Sequence, residues 1–225
     1  MDITKLSVAM MAPKYPINVG YVARVMKNYG LSDLYLVDSK KFGSAALRYA
    51  SHGKDILSNA KYVTFDELYQ VFNTVIGTTA ITSRSYVRKS VSSYNLSTLH
   101  VNAKNSVILL GRDTTGLTTK ELAKCDIVLH IPTGTLYKTL NISHALAILL
   151  YELRRSNLKK SSMFDRRLVD VLLSYMDKLA TKANMRQNKK YRSLAIIRRM
   201  IYQSDINEDQ IVSLIGFFRK ILIMK

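Results

Sequence analysis

Three clusters in this 225-residue chain combine polar side chains with the backbone freedom that ligand chemistry needs. In the first, Asn18, Arg24, Lys27, Asn28 and Gly30 follow Pro16. On a helix Arg24 falls within two turns of Asn18, in a stretch made apolar by Val22, Val25 and Met26. A guanidinium so placed can grip a phosphate or stabilise a developing oxyanion; an arginine that merely snorkels has the same spacing. The second cluster is Leu109-Leu110-Gly111-Arg112-Asp113-Thr114-Thr115-Gly116-Leu117. Its two glycines let a loop turn tightly and approach a ligand with its backbone. It lacks the lysine of a P-loop and the glycine triplet of a dinucleotide site, so a plain turn also fits. The third runs from His130-Ile131-Pro132 through Thr133 and Gly134 to Thr139-Leu140-Asn141. Thr139 and Asn141 there open a long apolar helix, where backbone donors and a positive dipole end gather. Capping alone would also account for Thr139.

These clusters need a scaffold that presents strand ends and helix starts side by side. Short runs rich in Val, Ile and Leu at residues 6–10, 33–37, 74–78, 106–110 and 127–131 alternate with helical patterns. That alternation predicts an α/β fold on a mostly parallel sheet, with strands buried on both faces. Helices are expected over 18–29 (ended by Gly30), from Asp66 with Leu68, Val71 and Phe72 facing inward, near Lys120, and over 140–155. Such sheets bind ligands beyond the carboxyl ends of their strands, where all three clusters fall. After Arg155 the pattern changes. A polar, basic stretch at 156–162 reads as a linker, and helices follow at 164–184, 191–202 and 208–223, the last capped by Asn207. The chain thus divides into residues 1–155 and a helical extension, 156–225.

Charge narrows the function. Thirty-four basic against sixteen acidic residues give a net charge of +18, which attracts polyanions such as nucleic acid or an acidic membrane surface. From Arg154 onward seventeen basic residues face six acidic ones, so the extension carries much of the excess. Its helices lack the Trp/Phe face that anchors on membranes. No apolar run reaches the length of a membrane span, and the short apolar stretch at 8–12 does not read as a signal peptide. One cysteine, Cys125, excludes an intrachain disulfide and fits a reducing cytoplasm. The four histidines have no metal-ligand spacing, so no metal is expected.

Together the clusters resemble the SPOUT family of trefoil-knot RNA methyltransferases. The family's first motif places Asn, then Arg six residues on, then Lys-Asn-x-Gly, as Asn18, Arg24, Lys27, Asn28 and Gly30 do. Its second, Gly-x-Glu-x-x-Gly-Leu, is matched by Gly111, Asp113, Gly116 and Leu117, with Asp for Glu. Its third, Ile-Pro followed by Ser-Leu-Asn, is matched by Ile131-Pro132 and Thr139-Leu140-Asn141, with Thr for Ser. The similarity covers residues 1 to about 155. The basic helical tail is most similar to the TrmJ branch, which methylates a ribose 2′-hydroxyl at nucleotide 32 of the tRNA anticodon loop.

The resemblance implies a SPOUT α/β-knot, an S-adenosylmethionine cofactor and tRNA as partner, in a homodimer built on the helices beginning near Asn18 and Thr139. It implies that the cofactor is held by Thr78, Thr79 and Ala80, by Gly111, Arg112 and Gly116, and by Ile131, Pro132, Thr139 and Leu140. Arg24, Asn18, Asp113, Thr139 and Asn141 become the candidate catalytic residues: Arg24 at the reacting oxygen, Asn18 and Asn141 positioning the ribose, Asp113 orienting Arg24 or Asn18, and Thr139 bonding the hydroxyl. The basic residues from Arg154 onward, including Arg154, Arg155, Lys159, Lys160, Arg166, Arg167, Lys189, Lys190, Arg192, Arg198 and Arg199, are expected to follow the RNA backbone, with Tyr191 and Tyr202 available for stacking on bases or, equally, for helix packing. Two alternatives remain: a ribosomal RNA 2′-O-methyltransferase, and a non-catalytic RNA-binding protein on the same scaffold.

Overall fold

The computed structural model describes residues 3–81, 90–93, 103–155, 164–204 and 206–223. Seven strands form one sheet: β1 (Ser7–Met11), β2 (Leu34–Val37), β3 (Lys61–Val63), β4 (Thr74–Thr78), β5 (Val91–Ser92), β6 (Ser106–Leu110) and β7 (Ile127–His130). Their order is β3-β2-β1-β6-β4-β7-β5, and every pairing is parallel. The helices are α1 (Pro16–Tyr29), α2 (Ser44–Ala50), α3 (Lys54–Ser58), α4 (Phe65–Val71), α5 (Thr119–Lys124), α6 (Ile142–Arg155), α7 (Arg166–Lys182), α8 (Gln187–Gln203) and α9 (Glu208–Ile223).

Alternation along the central strands divides the core between two faces. Val8 and Met10 of β1 and Ile108 and Leu110 of β6 bury against α1, α2 and α6; Ala9, Met11, Val107 and Leu109 bury against α4 and α5. Both faces are covered, so the strands read as continuous apolar runs. Helix α1 ends where Gly30 adopts φ 76° and returns its N–H to the carbonyls of Lys27 and Met26, the left-handed stop that glycine accepts without a Cβ clash.

Three local expectations are corrected. Val71 is 58% exposed while Leu68 and Phe72 are buried, because α4 ends at Val71 and Phe72 leaves it in an extended conformation. Helix α6 begins at Ile142 rather than at residue 139 or 140; Asn141 Oδ1 accepts the Ser143 amide at 2.9 Å and takes the capping role. Thr139 lies in the preceding loop. Strands β3 and β5, and helices α2 and α3, are additional to the expected elements. The linker expected at 156–162 lies outside the described residues.

Helices α7–α9 dock through both apolar and charged contacts. Val169, Leu172, Ile201, Tyr202 and Ile211 join the buried cluster that holds Leu146 and Leu153 of α6. Beside it Asp126, fully buried, accepts the Val75 amide at 2.7 Å and faces Arg166 at 3.3 Å and Arg198 at 3.1 Å. Burial pushes its carboxyl upward, and the two guanidiniums oppose that shift. Arg166 also donates to the carbonyls of Phe72 and Tyr69, Arg199 to that of Leu122, and the Tyr202 hydroxyl to that of Asn73. Arg166, Arg198 and Arg199 are therefore taken up in packing, which corrects their assignment to an RNA-facing surface, and Tyr202 takes the packing role of its two readings. The charges sit where Asn73 and Asp126 lead into β4 and β7, at the sheet end opposite the three motif clusters.

Candidate active site

The sheet order makes the site. Successive strands step outward from β1 to β2 and β3, whereas β4 lies on the other side of β6. The crevice outside the carboxyl ends at such a reversal is where parallel sheets bind ligands. A cavity of about 280 Å³ opens there, lined by residues following β4, β6 and β7 and by the start of α6.

Its polar rim is a chain of hydrogen bonds between three distant segments. Asp113 Oδ1 accepts from Asn18 Nδ2 at 2.5 Å, and its Oδ2 accepts the backbone amides of Lys14 at 2.7 Å and Tyr15 at 3.2 Å. Asn18 Oδ1 accepts from Asn141 Nδ2 at 3.2 Å, and Asn141 Oδ1 accepts from Ser143 Oγ at 2.8 Å as well as from its amide. The carboxylate thus fixes the Asn18 amide, and Asn18 and the α6 start fix Asn141. Asp113 contacts Asn18, not Arg24.

A second assembly holds the loop after β6. Arg112 pairs with both carboxylate oxygens of Glu121, at 2.9 and 2.8 Å, and donates to the Gly116 carbonyl at 3.3 Å. Glu121 also accepts the Thr118 amide, closing the capping box that starts α5. Arg112 holds its carboxyl below the usual range. Backbone bonds in both directions between Arg112 and Gly116 complete the turn. Arg112 therefore lines the cavity with its guanidinium committed to shaping the loop. Space is tight: a Cβ on Gly111 would lie 2.6 Å from Gly116 Cα and from Leu117 N, and Gly116 has φ 67°. Gly111→Ala is expected to displace this loop at a cost of about 1–3 kcal/mol and to weaken S-adenosylhomocysteine binding at least tenfold by calorimetry. Unchanged affinity would show that the loop does not touch the ligand.

Thr78, Thr79, Ala80, Gly111, Arg112, Gly116, Ile131, Thr139, Leu140, Asn18, Asp113 and Asn141 all line the cavity, whereas Pro132 and Arg24 do not. Arg24 is exposed on the α1 stripe that also presents Ile17, Tyr21 and Asn28. Beside Leu110 and Leu117 of the second motif, the motifs did not reveal the rest of the apolar wall (Leu129, Ile142, Ala145 and Leu149) or a role for the exposed Lys138 at the rim. The strand-end leucines were visible only as core, and nothing in the motifs pointed to Glu121.

The sequence profile of the SpoU rRNA Methylase family matches residues 5–151. The chain belongs to the SpoU rRNA Methylase family. Its similarity to one relative extends through the helical tail: the tRNA (cytidine-2′-O-)-methyltransferase TrmJ of Methanocaldococcus jannaschii is 30% identical over 96% of this chain and 100% of its own length. The fold of this SpoU-family chain is shared with TrmJ from Z. mobilis ZM4, at TM-score 0.74 and 20% identity, over 96% of this chain and 98% of that one. It is also shared with the SpoU methyltransferase AviRb from Streptomyces viridochromogenes, solved in complex with AdoMet, at TM-score 0.54 and 20% identity, over 67% of this chain and 59% of that one.

Proposed function

We propose that this protein methylates the 2′-hydroxyl of a tRNA ribose, with S-adenosylmethionine as methyl donor and cytidine at nucleotide 32 of the anticodon loop as target. The observation that carries the reading is the Asp113–Asn18–Asn141 chain of hydrogen bonds at the mouth of an apolar cavity, in a protein that aligns over 96% of its length with a tRNA (cytidine-2′-O-)-methyltransferase. The tail included in that alignment favours tRNA over ribosomal RNA. The reading carries a cytoplasmic tRNA-processing role and assigns residues 156–225 to RNA binding.

The cavity suits the cofactor. Leu110, Leu129, Ile131 and Leu149 offer apolar walls to an adenine, and the Gly111–Gly116 loop and Thr78–Ala80 offer backbone groups at close range. When bound, S-adenosylmethionine supplies an electrophilic methyl group. The protein's own part is alignment of the ribose oxygen and disposal of its proton. Asn18 and Asn141, locked to each other, present amide groups that can position the ribose. Arg24 offers a planar fork of N–H donors, so it serves as a clamp on the neighbouring phosphate and a stabiliser of the developing alkoxide rather than as a base.

Arg24 does not line the cavity of its own chain, and this supports a homodimer in which it serves the partner subunit's site. Exposed stripes on α1 (Ile17, Tyr21, Arg24) and α6 (Ile148, Tyr151) supply the surface. Val22, Met26, Leu146 and Leu150 of the same two helices are buried in the chain's own core.

The test is methyl transfer from labelled S-adenosylmethionine to purified tRNA and ribosomal RNA in parallel. Alkali-stable label in tRNA is expected. Label confined to ribosomal RNA would overturn the substrate, and none in either would favour a binding protein on this scaffold.

A further inference from the structure

Helix α8 lies on α5 along one stripe. Tyr191, Ala195 and Arg199, each four residues from the next, meet α5: the Tyr191 hydroxyl donates to the Lys120 carbonyl at 3.4 Å, Ala195 packs on Ala123, and Arg199 donates to the Leu122 carbonyl at 3.1 Å. Because Tyr191 meets the start of α5 and Ala195 its later part, the two helices run in the same direction. The start of α5 follows directly from the Gly111–Leu117 loop that lines the cavity. The beginning of α8, and the turn joining it to α7, are therefore held toward the cavity end of the molecule.

Charge is distributed unevenly around α8. Lys190 is 3.0 Å from Asp177, and Arg198 reaches Asp126 and Asp170. On the other flank of the α5 contact lie Arg192 and, one turn earlier, Lys189, with Arg186 at the helix start and Lys120 across the seam. All four are exposed, and among the described residues no carboxylate forms an ion pair with any of them. Tyr191 is 42% exposed beside them in sequence.

We propose that the α5–α8 seam, formed by Lys120, Arg186, Lys189 and Arg192, is a phosphate track that carries the RNA backbone from the extension to the cofactor cavity. It rests on the RNA-methyltransferase reading and adds a location. The extension does not hold RNA as a tethered appendage; it forms one continuous grip with the catalytic part, because α8 is fixed to the helix that follows the cofactor loop. Four exposed cations that no carboxylate pairs among the described residues are the pattern that releases counterions from a polyanion, and such contacts set register without reading sequence.

The experiment compares Lys189→Glu/Arg192→Glu with Arg219→Glu/Lys220→Glu, the same charge change placed on exposed residues of α9. The readouts are the dissociation constant for tRNA across a salt series, the affinity for S-adenosylhomocysteine, and methyl transfer by the unaltered protein. The seam variant is expected to bind tRNA at least about tenfold more weakly, with a log–log salt slope shallower by roughly 2, and Lys120→Glu to lose several-fold. Cofactor affinity stays constant in each, showing an intact fold, and the α9 variant binds tRNA nearly as the unaltered protein does. Equal losses from the seam and α9 variants would show a diffuse field and overturn the track, as would unchanged binding by the seam variant. Absence of methyl transfer by the unaltered protein, with the seam effect present, would sink the reaction and leave the track standing.

Discussion

Replacing Arg24 with alanine is expected to lower the rate of methyl transfer by about two to three orders of magnitude, the usual cost of removing one preorganised oxyanion donor. Cofactor affinity should hardly move, because Arg24 lies outside the cavity of its own chain. Stability should hold as well: the side chain is exposed, and among the described residues no acid pairs with it. Arg24→Lys should recover little activity, since an ammonium keeps the charge and loses the planar fork. The same account predicts complementation. Arg24→Ala and Asn141→Ala, each inactive alone, should regain activity when co-expressed as mixed dimers, because one of the two sites then has both residues. Single-turnover rates and calorimetry check these outcomes. A large fall in cofactor affinity for Arg24→Ala would remove the residue from the reacting oxygen, and silent mixed dimers would place it in its own subunit's site.

The second large effect concerns stability. Asp126→Asn should destabilise the fold by up to about 3–5 kcal/mol, because it removes the buried countercharge of Arg166 and Arg198 and leaves them only the half-exposed Asp170. Asp126 is fully buried, and the side chains of Arg166 and Arg198 are only 6% and 13% exposed. Guanidinium denaturation should show a clearly lowered midpoint. In contrast Asp66→Asn, which breaks the exposed pair with Lys124, should leave the midpoint nearly unchanged. An unaltered midpoint for Asp126→Asn would mean that apolar contacts alone hold the extension in place. Disruption here should affect both halves of the molecule, since Asp126 also accepts the amide of Val75 in β4.

Much of this architecture was legible because its central strands are buried on both faces and announce themselves as unbroken apolar runs. What escaped is what lacks that signature. Lys61–Val63 is an edge strand with two exposed residues, and Val91–Ser92 is only two residues long. The start of α6 was placed early because Leu140 continues the apolar spacing, although Asn141 ends the loop by capping. Most motif residues do line the cavity, since their types and order follow from the chemistry they must perform. Their partners were less visible. Nothing in the spacing of Arg112 and Glu121 distinguishes a loop clasp from a ligand contact until the capping box at Thr118 is seen to turn the carboxylate inward. The basic tail shows the limit of counting charge: Arg166, Arg198 and Arg199 add to the net charge but point into the protein, while Lys189 and Arg192 remain at the surface.

Ribose methylation of tRNA by this protein is checked by mapping the methyl group, through nuclease fragments and mass spectrometry, on tRNA treated with the protein and S-adenosylmethionine. A 2′-O-methyl group on cytidine 32 is expected, absent when Arg24→Ala replaces the unaltered protein. A methyl group on a base rather than a ribose, or on a ribose elsewhere in the tRNA, would contradict the proposal.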